Sequence, residues 1–140
     1  MNKSILVIED SPTQALALRA LLEINDLDVT HAATGAEGLA LARTLKPAAI
    51  ILDIQLPDMD GFQVCQTLKH WPETMSLPVI MLTQYDEHTA IVHGLQLGAL
   101  EYIPKDAFAD SVLVNTLKQM GIITGMPVLP ELPDSDWEWL

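Results

Sequence analysis

Five short runs of aliphatic and β-branched residues alternate with longer stretches of helical periodicity, and this alternation constrains the chain more than any other feature. In the first run Ile5, Leu6, Val7 and Ile8 are consecutive. An unbroken apolar run suits a strand covered on both faces, whereas a half-exposed strand would alternate apolar with polar. Strands are expected at Ser4 to Glu9, Asp28 to Ala32, Ala49 to Asp53, Leu77 to Leu82 and Glu101 to Ile103. Between and after them, helices are expected from about Pro12 to Asn25, Ala36 to Leu45, Phe62 to His70, Glu87 to Leu97 and Asp110 to Met120.

Local signals punctuate this pattern. Ser11, Pro12 and Gln14 read as an N-cap, a first-turn proline and a capping-box partner, and Thr34 with Glu37 repeats the box. Pro47 stops the second helix, and Pro57-Asp58-Met59-Asp60-Gly61 is turn-rich, with Asp60 placed to cap the next helix through Gln63. Strand-helix repetition predicts an α/β fold, because parallel strands need right-handed crossovers and helices supply them. The expectation is a flavodoxin-like, doubly wound five-stranded parallel sheet of order 2-1-3-4-5 with five helices. Ligands in such sheets bind beyond the carboxyl ends of the strands, at the switch point between the first and third.

The length of 140 residues fits one domain. Nineteen acidic residues against seven basic ones give a formal net charge of -12, a surface that repels nucleic-acid phosphates. Direct nucleic-acid binding is therefore not expected. No apolar run approaches the roughly 20 residues of a membrane span, and the opening MNKSILVIED meets acids too early for a secretory signal, so a cytoplasmic protein without membrane insertion is expected. The lone Cys65 reads as a small core side chain, and the four histidines show no metal-ligand spacing.

Strand ends would gather Glu9 and Asp10 after the first strand, Asp53 at the third, Thr83 after the fourth and Lys105 after the fifth. Taken singly, each has a plain reading as helix-entry chemistry, a strand-end hydroxyl or a solvated charge. The set at one sheet edge does not. Three carboxylates at ~4 Å would repel by about 4 kcal/mol per pair at an effective dielectric of ~20, so compensation is needed. Oxygen ligands with room for water suit Mg²⁺, which favours sites completed by a phosphate oxygen.

The set Glu9-Asp10, Asp53-Ile54-Gln55-Leu56-Pro57-Asp58-Met59-Asp60-Gly61, Thr83 and Tyr102-Ile103-Pro104-Lys105, spread over residues 4 to about 120, resembles the receiver domains of two-component response regulators, chemotaxis-type single-domain receivers among them. The resemblance implies that Asp53 takes a phosphoryl group from a phosphohistidine of a sensor histidine kinase or phosphotransfer protein. It implies Mg²⁺ held by Asp10, Asp53 and the backbone carbonyl of Gln55, with Glu9 acting directly or through water, and Lys105 paired with the phosphoryl oxygens. Thr83 and Tyr102 would form a switch that alters the face of the fourth helix, fifth strand and fifth helix, where a downstream protein docks. Such a chain catalyses its own phosphoryl transfer and slow dephosphorylation without being a conventional turnover enzyme. Two positions depart from the usual pattern: Gln84 stands where Ala or Gly is common, and Asp106 where many relatives have Pro.

Other readings compete. A phosphatase of the haloacid-dehalogenase type needs a second acid two residues after the nucleophile, where this chain has Gln55. A flavin or nucleotide module needs a glycine-rich phosphate loop, which follows neither the first nor the third strand. The remaining alternative is a receiver-like protein-binding scaffold that is not phosphorylated. Residues 1–121 read as the domain and 122–140 as an acidic tail or linker, in which Trp137 and Trp139 are candidate partner anchors.

Overall fold

A computed structural model of the protein describes residues 2–124. It contains β1 (Ser4–Ile8), α1 (Pro12–Ile24), β2 (Asp28–Ala32), α2 (Gly35–Leu45), β3 (Ala49–Leu52), α3 (Gly61–His70), β4 (Val79–Thr83), α4 (His88–Gln96), β5 (Glu101–Pro104) and α5 (Ala109–Gln119). The strands form one parallel sheet of order β2-β1-β3-β4-β5, as the alternation predicts.

The unbroken apolar runs are explained by helices on both faces. Because successive strand residues point to opposite sides, Leu6, Ile8, Ile50, Leu52, Met81 and Tyr102 face α2, α3 and α4, where Leu39, Val64, Leu68 and Ala90 meet them. Ile5, Val7, Ile51, Ile80, Leu82 and Ile103 face the other way, against Leu18 and Leu22 of α1 and Leu113 and Leu117 of α5. Two cores thus share one sheet.

Element ends differ from expectation for identifiable reasons. The expected fourth strand began at Leu77, but Pro78 has no N–H to donate and only its carbonyl joins the ladder, accepting from Ile50. Pairing therefore starts at Val79 and runs on to Thr83. Ladder bonds at the other ends reach one residue past the strands: Glu9 N–H donates to Ala32 O, Asp53 N–H to Ile8 O, and Lys105 N–H to Thr83 O.

The boundary expected after Gly121 also moves. Gly121 has φ 82°, a left-handed conformation suited to glycine after a helix end. The chain then turns back, Ile122 and Ile123 both donate to Leu117 O, and both side chains are buried in the α1/α5 core. Trp137, Trp139 and the rest of the expected tail from residue 125 lie outside the described residues.

Candidate functional site

The carboxyl edge of the sheet brings Glu9, Asp53 and Lys105 into direct contact. Glu9 and Asp53 are 2% and 6% exposed, and the Lys105 ammonium lies 2.6 Å from Glu9 Oε1 and 2.9 Å from Asp53 Oδ2. The ladder bonds past the strand ends fix all three backbones, so side-chain torsions alone set the geometry. Burial alone would push the lysine pKa down, but the hydrogen bonds and charges of Glu9 and Asp53 outweigh it and hold Lys105 above the ordinary lysine value. For Glu9, burial is the larger influence and raises its carboxyl, against the lowering by Lys105 and by the Ser11 N–H. Lys105 is thus firmly cationic.

The other oxygens are also engaged. Asp53 Oδ1 accepts from Gln55 N at 3.2 Å, and Glu9 Oε2 accepts from Ser11 N at 3.1 Å. Asp10, by contrast, is exposed at the start of the β1–α1 turn. The three carboxylates expected at this edge divide by burial: Glu9 and Asp53 are buried and bridged by the Lys105 ammonium, and Asp10 is exposed. Among the described residues no three acids, histidines or cysteines group closely enough to hold a metal by themselves. Lys105 supplies positive charge against the buried pair.

Thr83 is fully buried at the end of β4, where its Oγ1 accepts from Tyr85 N at 3.2 Å. The carbonyl of the same Tyr85 accepts from the Tyr102 hydroxyl. Tyr102 is 7% exposed although β5 is an edge strand. Burial first, with Tyr85, Asp53 and Asp86 adding, pushes its phenol up to about 12, so it remains a donor at any ordinary pH. One residue, Tyr85, therefore ties the Thr83 hydroxyl to the Tyr102 ring.

The loop after Asp53 is shaped by its neighbours. Asp60 caps α3, and Gln63 closes the reciprocal box as expected. Asp58 does something the sequence does not announce: its two oxygens accept from Gly35 N at 2.8 Å and Ala36 N at 2.9 Å, pinning the loop to the start of α2. Gly61 is needed for closeness, since a Cβ there would lie 2.4 Å from Asp53 O and 2.6 Å from Ile54 Cα, both backbone atoms. The Lys105–Asp106 peptide is trans.

Gln14 is the residue that sequence reasoning misplaced. Expected to complete a capping box with Ser11, it finds the Ser11 N–H already taken by Glu9, and its side-chain oxygen accepts from Lys105 Nζ. The available signal was the acid two residues before the serine, which competes for the same N–H. Cys65 is buried, and burial raises its thiol pKa, which leaves it unreactive.

Comparison with known proteins agrees with this architecture. Residues 5–118 match the family model described as response regulator receiver domain. The protein PilH of Pseudomonas aeruginosa is 38% identical over 109 residues, covering 78% of this chain and 90% of PilH. The alkaline phosphatase synthesis transcriptional regulatory protein PhoP of Bacillus subtilis is 42% identical over 105 residues, but they cover 75% of this chain and only 43% of PhoP. A crystal structure of a putative response regulator from Chloroflexus aurantiacus superposes with a TM-score of 0.79 at 32% identity, covering 86% of this chain and 98% of that one. With a strand-end carboxylate joined to a lysine on a sheet of order 2-1-3-4-5, and a family match across nearly all of the described residues, the chain belongs to the response regulator receiver domains of two-component signal transduction.

Proposed function

We propose that Asp53 is the phosphoryl acceptor of this receiver and that its phosphorylation, from a phosphohistidine on a sensor histidine kinase or phosphotransfer protein, is the signal the chain relays. The observation that carries this reading is the nearly buried Asp53 carboxylate 2.9 Å from Lys105 Nζ. In the transfer, an Asp53 oxygen forms a bond to phosphorus as the phosphorus–nitrogen bond breaks. The imidazole leaves with that electron pair. Such transfers are catalysed chiefly by alignment and by neutralising charge on the moving group, and a fixed ammonium beside the acceptor does both.

The donor set also fits Mg²⁺, which retains several waters and needs only one or two carboxylates beside phosphate oxygens. Asp10 is exposed and Asp53 ends the adjoining strand, so these two with the Gln55 carbonyl would hold the ion, and Glu9, whose oxygens already serve Lys105 and Ser11, would act through water. When bound, the ion supplies positive charge against the phosphoryl oxygens.

Phosphorylation adds roughly -1.5 to -2 charge and new acceptor oxygens. A Thr83 hydroxyl drawn to them gives up the Tyr85 N–H, and Tyr85 in turn holds the Tyr102 hydroxyl. The face so altered carries exposed Val92 and Leu95 on α4, Leu100 before β5, and Phe108 and Val112 at α5, an apolar surface suited to a protein partner. Among the described residues no helix is long and apolar enough to cross a membrane.

The test is intact mass after incubation of the chain with Mg²⁺ and either acetyl phosphate or a phosphorylated kinase. A gain of one phosphate, lost in Asp53→Asn, is expected. An unchanged mass with a competent kinase would instead favour the unphosphorylated scaffold.

A further inference from the structure

An ammonium carries three N–H donors and no acceptor, and at Lys105 all three have partners: Glu9 Oε1, Asp53 Oδ2 and the side-chain oxygen of Gln14. A phosphoryl group arriving on Asp53 brings oxygens that need a donor. Lys105 must then surrender a partner. Two of the three are carboxylates, whose bonds to an ammonium are charge-assisted from both sides, and the third is a neutral amide. The amide is the one most easily released.

The local structure of α1 is arranged for this use. A glutamine three residues after an N-cap serine ordinarily folds back onto the N-cap N–H. Here Glu9 Oε2 takes that N–H at 3.1 Å, while Ser11 Oγ still accepts from Gln14 N at 3.3 Å. The helix keeps its cap, and the Gln14 side chain reaches the site. Gln14 also borders a cavity of about 360 Å³ shared with Gln84, Lys105 and Asp106, so a released amide can swing aside without disturbing the core.

We propose that Gln14 is a positioning residue: it occupies the third donor of Lys105 in the unphosphorylated protein and yields it to a phosphoryl oxygen, so its identity tunes how readily Asp53 is charged. The inference rests on Asp53 being the acceptor. Gln14→Met preserves length but leaves one N–H of Lys105 without a partner, so a phosphoryl oxygen gains a donor with no bond broken. Gln14→Glu adds a third carboxylate to the ammonium and repels the incoming group. The two substitutions therefore act in opposite directions, by about tenfold each, the scale of one hydrogen bond to a charged group. A residue that merely packed or capped would weaken the site in both.

The experiment measures affinity of the full chain for the phosphoryl mimic beryllofluoride, with Mg²⁺, by nuclear magnetic resonance titration of the wild type, Gln14→Met and Gln14→Glu. The Lys105 ammonium resonance is recorded first without the mimic. Tighter binding by Gln14→Met, weaker binding by Gln14→Glu and a shifted ammonium signal in both are expected. If the wild type binds but both variants bind more weakly, or both match it within twofold, the proposal is overturned while Asp53 as acceptor stands. If the wild type neither binds the mimic nor gains phosphate mass from a competent kinase, the acceptor reading fails and takes this inference with it.

Discussion

Lys105 shows how much depends on one side chain. Its ammonium is the shared counter-charge of two carboxylates that are almost wholly buried. Removing one member of a buried ion pair costs several kcal/mol because the remaining charge is left unpaired. Lys105→Met should therefore lower unfolding stability near neutral pH by about 3 kcal/mol, and adding Glu9→Gln should restore part of that loss by removing one orphaned charge. Urea denaturation of the single and double variants checks this, and a double variant less stable than the single would contradict it. Glu9, Asp53 and Lys105 were legible as neighbours because each follows a strand whose apolar run is plain. Which groups pair was not legible, since that depends on the reach of Lys105 and on competition for one backbone N–H at Ser11. Gly61 belongs to the same scale: a Cβ there meets backbone, which cannot rotate away. Gly61→Ala should displace the β3–α3 loop and cost roughly 1–3 kcal/mol. A crystal structure of the variant superposing on the parent at Asp53 would refute the argument.

Among the elements, four of the five strands begin where their apolar runs predict, and the helices begin within one residue of expectation. Thr34 and Asp60 cap as their spacing predicts, because a capping motif is local, although the box at Thr34 is left open by Glu37, which accepts from the Ala33 N–H. The start of β4 is set by a partner distant in sequence, since Pro78 offers β3 only its carbonyl, and could not be read from the run itself. The same distinction hides Asp58, whose capping of α2 links residues more than twenty positions apart. Its bonds from Ala36 and Gly35 N–H hold its carboxyl below the ordinary aspartate value. A carboxyl with a lowered folded-state pKa contributes stability above its unfolded value, and that contribution is lost as pH falls through the folded one. Asp58→Asn should thus be less stable than the parent from neutrality down to the ordinary aspartate pKa, with the difference closing below it. Denaturation midpoints measured from pH 7 to pH 2 test this, and a constant difference would exclude it. The helices also differ in anchorage. α3 has a full capping box and buries Gly61, Val64, Cys65 and Leu68, whereas α4 has no side-chain cap and buries only Ala90 and Gly94. Segments with few buried contacts open most readily, so amide hydrogens of α4 should exchange faster than those of α3. Equal protection would remove the physical basis for placing the switch at α4.

For the whole molecule, topology was readable because five strand-helix units leave few ways to cover a parallel sheet, and both cores fill as the apolar runs require. The end of the packed unit was less readable: the change in composition after Gly121 masks two isoleucines that turn back into the core. Net charge acts on this scale too. At -12, acidic groups repel across the surface, and the exposed pairs Lys3–Asp26, Arg19–Glu23 and Arg43–Glu73 are too few to offset it. Screening that repulsion should raise thermal stability as salt increases, because the Debye length falls from about 30 Å at 0.01 M to about 8 Å at 0.15 M. Magnesium chloride would do the same by screening alone, so a specific ion must show itself at matched ionic strength. A cation bound only by the folded chain adds RT ln(1 + [L]/Kd), about 1.4 kcal/mol at ten times Kd. At matched ionic strength Mg²⁺ should therefore raise the Tm of the parent above its value in sodium chloride by a few degrees. The excess should vanish in Asp10→Asn, whose exposed carboxylate has no packing role to confuse the result. Calorimetry that gave parent and variant the same excess would mean that Mg²⁺ acts on the diffuse surface charge, and Asp10 would lose its place among the ligands.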